Sequence, residues 1–166
     1  MKVYRALAWR SGPASFDPLD SAPSVAGIKG WRYNDLSTEI LYTAEVEALA
    51  TLEAAVRPGW DSIQQVLIAT IEIPENSVVA LGDLGIVLPS NWNARPVADG
   101  SRRIAREFLG AVTRLPVGVT RPIGLRVPSV LSSSDFNILL DPSRKAECAA
   151  SLTSRIPFQT LRVTAS

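Results

Sequence analysis

In "ALATLEAAV" a single carboxylate, Glu53, sits among apolar side chains. On a helical wheel at about 100° per residue, Val46, Leu49, Ala50, Leu52 and Val56 form one apolar stripe, and Glu53 falls near its centre. An unpaired carboxylate buried there would cost on the order of several kcal/mol. It must therefore either find a partner, of which Arg57 one turn on is the simplest, or face a pocket cut into the core. A second cluster, "KGWRYN" at Lys29 to Asn34, places Trp31 and Tyr33 on either side of Arg32 in a stretch that opens with glycine. Such a trio either caps a small core or walls a pocket for something flat and anionic. Tyr42, in a β-prone run, and Ser129, after Pro128 in "RVPS", complete the candidates. The first reads equally as a core tyrosine and the second as a turn or cap.

Composition narrows the chemistry further. The chain has 166 residues, is 46% hydrophobic and 20% charged, and contains no histidine and one cysteine, Cys148. That is the length of one ordinary domain, with enough apolar residues for a sizeable core. Internal disulfides, a zinc site built on His or Cys, and Ser-His-Asp or Cys-His machinery are all excluded. Any catalysis must rest on carboxylates, arginines, hydroxyls and aromatics, and no metal is expected. The 17 basic and 16 acidic side chains leave a charge of +1, which gives no electrostatic case for binding nucleic acid or membrane. "MKVYRALAWR" is broken by Arg5 and Arg10 and is not a targeting segment. No apolar run approaches the roughly 20 residues of a membrane span. The expected location is cytoplasmic.

The elements that must position these residues follow from periodicity and punctuation. Strands are expected at Val3 to Leu7, Glu39 to Ala44, Val66 to Ile73 (ended by Pro74) and Ser77 to Leu81. Three late ones are expected in "PIGLRVPS", "FNILL" and "PFQTLRV". Ser11 to Ser24 has loop composition. Thr43 is placed to cap a helix running from Ala44 to about Val56, with Glu45 in its first turn. Ser101 is placed to cap another running to about Ala111, with Ile104, Phe108 and Ala111 on its inner face. "LPSNWNARPVADG" is irregular. Strands and helices mix without a strict β-α-β rhythm, so the expected class is α+β, in a single domain over residues 1–166.

In order along the chain, "GWRYN … ILYTAEVEALATLE … LP-x-x-W … LRVPSVL … FNILLDP … PF" resembles the RES domain, a family named for an arginine, a glutamate and a serine. The resemblance runs from Tyr4 to Phe158. It puts the family arginine on Arg32, the tyrosine on Tyr42, the glutamate on Glu53 and the serine on Ser129. Trp31 stands where the family usually has a second glycine, Tyr33 where it has tryptophan, and Asp141-Pro142-Ser143 where it has Asn-Pro-x-His. The resemblance implies an ADP-ribosyltransferase-like mixed sheet with flanking helices, NAD as substrate, and a toxin of a bacterial toxin–antitoxin pair. It also implies an antitoxin partner with a helix-turn-helix DNA-binding part, and a homodimer. In that setting Glu53 would stabilise a cation-like sugar carbon and Arg32 would clamp the pyrophosphate. Tyr42 or Tyr33 would stack on nicotinamide or ribose, and Ser129 would bond the nicotinamide end, with Asn137 a further binding candidate. The acceptor of the sugar would be water, phosphate or a protein side chain. A partner-binding module without catalysis is the rival from another class.

Overall fold

A computed structural model describes residues 1–9, 17–20, 30–56 and 65–157. Their centre is a seven-stranded mixed sheet. The strands are β1 (Lys2–Trp9), β2 (Leu41–Ala44), β3 (Gln65–Glu72), β4 (Val78–Ala80), β5 (Gly124–Pro128), β6 (Phe136–Leu140) and β7 (Ala149–Pro157). Their order across the sheet is β4-β5-β6-β2-β1-β3-β7, and β4–β5 is parallel while the other neighbours are antiparallel. Helix α1 (Glu47–Ala55), the short α2 (Asp99–Arg102) and α3 (Ile104–Thr113) accompany it, giving the expected α+β class.

Alternation along the strands decides what each face carries. Leu139 on β6, Leu125 and Val127 on β5, Phe108 and Ile104 on α3, and Tyr33 share one core cluster. Ile138 and Leu140, the residues either side of Leu139, belong to a second cluster with Val3, Leu41 and Ile71. On the first face Tyr4 lies opposite Ala44, Ala44 opposite Asn137, and Asn137 opposite Val127. A row of strand positions is therefore fixed side by side under α1 and the 31–35 turn. Leu49 and Ala50 of α1 pack with Ala44 over Tyr4 and Ala6.

β6 spans the residues expected of it, and β1, β2, β3, β4 and β5 agree with the expected strands to within a few residues. Several other expectations are corrected. Thr43 does not cap α1, because it still belongs to β2, where its hydroxyl donates to Ile138 O at 2.9 Å. The cap position falls on Val46 and the helix begins at Glu47. Glu45 thus precedes the helix, and it pairs instead with Arg126 (Oε1 to Nε 2.5 Å), whose guanidinium lies over the Phe136 ring. Ser101 is not a cap either: it is buried within α2, whose cap position is Ala98. Ala111 is only half-buried, and Val112 takes its inward place beside Phe108.

The late strand was expected in "PFQTLRV", whereas β7 runs over Ala149–Pro157; residues 158–163 lie outside the described set. "AASLTS" has too little apolar alternation to announce a strand, yet it pairs with Ile68 to Glu72 of β3. Of the loop expected at Ser11 to Ser24, residues 17–20 are described and form a turn closed by Asp20 N to Asp17 O.

Phe108, with no exposed surface, is the part of α3 that packs in the same cluster as Tyr33. Phe108→Ala should lower unfolding free energy by about 3–5 kcal/mol, read as a lower urea midpoint at unchanged slope.

Candidate active site

The sheet face under α1 is the floor of a cleft of about 290 Å³, near the lower end, about 300 Å³, of small-molecule sites. Tyr4, Ala6, Tyr42, Ala44 and Asn137 contribute to it from β1, β2 and β6; Ala50, Glu53 and Val56 of α1 form one side; Trp31, Arg32, Tyr33 and the 95–97 loop are across from them. The structure thus brings Arg32, Tyr33, Tyr42, Glu53 and Asn137 to one cavity. Ser129 is not one of the lining residues and joins the site through its hydrogen bond to Glu53.

Glu53 is held by one oxygen. Its Oε1 accepts from Ser129 Oγ at 2.9 Å and from Asn137 Nδ2 at 2.9 Å. Oε2 has no hydrogen-bond partner among the described residues. Asn137 can reach Glu53 because it sits opposite Ala44, on the strand face that α1 covers. Ser129 is fixed in turn, its oxygen accepting from Leu131 N at 3.1 Å. Its hydroxyl hydrogen goes to Glu53, so its described contacts are to the carboxylate and the chain. Arg57, the alternative partner for Glu53, lies outside the described residues. The apolar stripe is only partly buried: Leu49 and Ala50 are inside, whereas Leu52 and Val56 are 42% and 51% exposed. In the last turn of α1 Ala54 is buried while Leu52 and Val56 stay exposed, so the helix lies along the side of the cleft with only part of its apolar surface inside.

The "GWRYN" turn is organised by its last residue. Gly30 adopts φ +68°, and a Cβ there would stand 2.9 Å from Asn34 O, so both conformation and space favour glycine. Asn34 is 1% exposed. Its Oδ1 accepts from Trp31 N at 3.1 Å and Tyr42 OH at 3.0 Å, and its Nδ2 donates to Asp35 O and Thr38 O, both at 3.0 Å. Tyr42 OH also accepts from Tyr33 N at 2.9 Å. The hydroxyl of Tyr42 is thus engaged on both sides, and what remains for the cleft is its ring. The sequence reading passed over Asn34. The signal was present: a buried side-chain amide is one of the few groups able to close a turn by donating and accepting at once.

Tyr33 is buried to 1% exposure, parallel to Trp92 at a 6.5 Å ring separation, with its OH donating to Pro128 O at 2.7 Å. Burial pushes its phenol well above the usual tyrosine range; Arg32 pulls it down and Glu53 pushes it up. Both charges thus act on one phenol. Arg32 is itself buried, and its Nη1 donates to Trp92 O at 2.7 Å and Ala94 O at 3.2 Å. Its Nε and Nη2 bond no described residue, and no described carboxylate pairs with it. A buried cation with one edge of its fork anchored on carbonyls and no counter-ion is suited to an anionic ligand. Among the described residues no group of three His, Cys, Asp or Glu side chains gathers as a metal site, and no helix is long and apolar enough to cross a membrane.

Asn34→Ala would strand the buried groups that its amide satisfies, at about 1–3 kcal/mol for each one left unpaired. Denaturant unfolding should show a loss of roughly 2–4 kcal/mol, larger than that of Tyr42→Phe, which removes one hydroxyl.

Comparison with known proteins finds relatives over most of the chain. Toxin Res of Photorhabdus laumondii is 32% identical over 130 residues, 76% of this chain and 77% of its own length. The Prs ADP-ribosylating toxin of Sphingobium sp. is 28% identical over 141 residues, 81% of each chain. Toxin Res of Yersinia enterocolitica is 28% identical over 118 residues, 70% of this chain and 71% of its own. The family model of the RES domain matches residues 2–163. The chain whose Arg32, Glu53 and Ser129 meet around this cleft belongs to the RES-domain family.

Proposed function

We propose that this protein is a toxin that consumes NAD by cleaving the bond between nicotinamide and ribose beside Glu53. The observation that carries the proposal is the Glu53 carboxylate, oriented through Oε1 by Ser129 and Asn137 with Oε2 left unpaired on a cleft-lining residue. When that bond breaks, its electron pair leaves with nicotinamide, which becomes neutral, and positive charge develops on the sugar carbon and ring oxygen. A carboxylate already fixed in position stabilises this charge without reorganising at the moment of reaction. Water then forms the new carbon–oxygen bond and gives up a proton; phosphate is an equivalent acceptor. No histidine is needed. Arg32 takes the pyrophosphate on the free side of its fork and the ring of Tyr42 lies against nicotinamide or ribose. Ser129 and Asn137 act by positioning Glu53.

A second reading uses the same first step and passes ADP-ribose to a protein side chain. It is favoured by the relative named a Prs ADP-ribosylating toxin. With either acceptor the partner is an antitoxin bearing a helix-turn-helix part, which supplies the DNA binding that a chain of charge +1 does not. The toxin itself works in the cytoplasm as a homodimer.

Glu53→Gln should keep the fold and lower turnover by about 10²–10³-fold. The test is a time course of intracellular NAD after induction without an antitoxin, with Glu53→Gln beside it. NAD should fall before growth stops in the first culture and in neither respect change in the second. Growth arrest with NAD intact would replace NAD depletion by modification of a protein. Arrest by both proteins would remove catalysis altogether and leave partner binding.

A further inference from the structure

The loop that anchors Arg32 carries a second arginine to the same cleft. Trp92 O and Ala94 O hold Arg32 Nη1, and Arg95, the next residue, lines the cavity with Pro96 and Val97. Arg95 is exposed and pairs with no carboxylate among the described residues. Arg126 and Arg106, by contrast, are paired, with Glu45 and Asp35. Neither guanidinium on this cleft forms an ion pair among the described residues, so an anion that reaches both is attracted by both.

We infer that Arg95 is a second phosphate-binding residue, and that Arg32 and Arg95 together select ligands carrying a pyrophosphate. This rests on the NAD reading of the site. A single guanidinium suffices for one phosphate. Two, one on the 31–35 turn and one on the loop that anchors it, match the two negative charges of a dinucleotide or of ADP-ribose. The cleft is then polarised along its length, with cations at the arginine end and the Glu53 carboxylate where positive charge develops. Its volume of about 290 Å³ suits the nicotinamide half of such a ligand, leaving the pyrophosphate at the open rim where Arg95 stands. Arg95 contributes to which ligands bind and in which direction they enter, while Glu53 governs the chemical step.

The test separates the two halves of the ligand. The wild-type protein, Arg95→Ala and Arg95→Gln are titrated calorimetrically with ADP-ribose and with nicotinamide, beside thermal melts. Both variants should bind ADP-ribose about tenfold or more weakly, as expected for losing a charged hydrogen bond. Nicotinamide affinity and melting temperature should stay unchanged. Arg95→Gln keeps most of the stem, so it answers the question if truncation to alanine disturbs the loop. Unchanged ADP-ribose affinity in the variants, equal weakening of both ligands, or a wild-type protein that does not bind ADP-ribose would each overturn the inference. If ADP-ribose binding depends on Arg95 while the wild-type protein leaves NAD intact, the pyrophosphate site stands and the NAD-consuming reading falls.

Discussion

Two hydrogen bonds to one carboxylate oxygen hold the cleft in its shape. Through Glu53, helix α1 is tied to Ser129 at the end of β5 and to Asn137 on β6. Three segments distant in sequence therefore share one polar contact on an otherwise apolar face. Hydrogen bonds to charged groups are worth about 1.5–3 kcal/mol each. A half-buried carboxylate left without donors there would carry a desolvation penalty instead. The geometry also fits exposed Leu52 and Val56: the placement of α1 is set by the polar anchor and by buried Leu49, Ala50 and Ala54.

The opposite side of the cleft is built on a different logic. Asn34 closes the turn, Tyr42 is locked under it, and the carbonyls of Trp92 and Ala94 take one edge of the Arg32 fork. Ala105 N donates to Tyr33 O at 2.8 Å and Arg106 pairs with Asp35, so α3 is fastened to the same turn. A cation anchored on carbonyls and a carboxylate held by two donors, both lining one cleft, make an environment organised before any ligand arrives. Such preorganisation is what electrostatic catalysis requires.

Much of this was legible in the residues, and the gaps have identifiable causes. Glu53 announced itself because a carboxylate in an apolar stripe demands an explanation, and Arg32 because aromatic neighbours in a glycine turn are unusual. "FNILL" declared β6, bounded by "SSSD" before it and Asp141-Pro142 after it. The start of α1 was misjudged because Thr43 can satisfy its hydroxyl on Ile138 O as well as on a helix terminus, and only the sheet register decides which. β7 went unnoticed because an edge strand needs apolar residues on one side only, and "AASLTS" supplies few. Donor and acceptor geometry at Asn34, and the meeting of Ser129 with Glu53 across 76 residues, depend on tertiary contacts that no local pattern encodes.

The central claim is that a carboxylate fixed beside a cationic sugar carbon breaks the nicotinamide–ribose bond. Incubating the purified protein with NAD and identifying the products by NMR tests it most directly. The account predicts free nicotinamide in equal amount to ADP-ribose, or to its phosphorylated form when phosphate is present. NAD recovered intact after prolonged incubation with folded protein, in the presence and absence of phosphate, would contradict it.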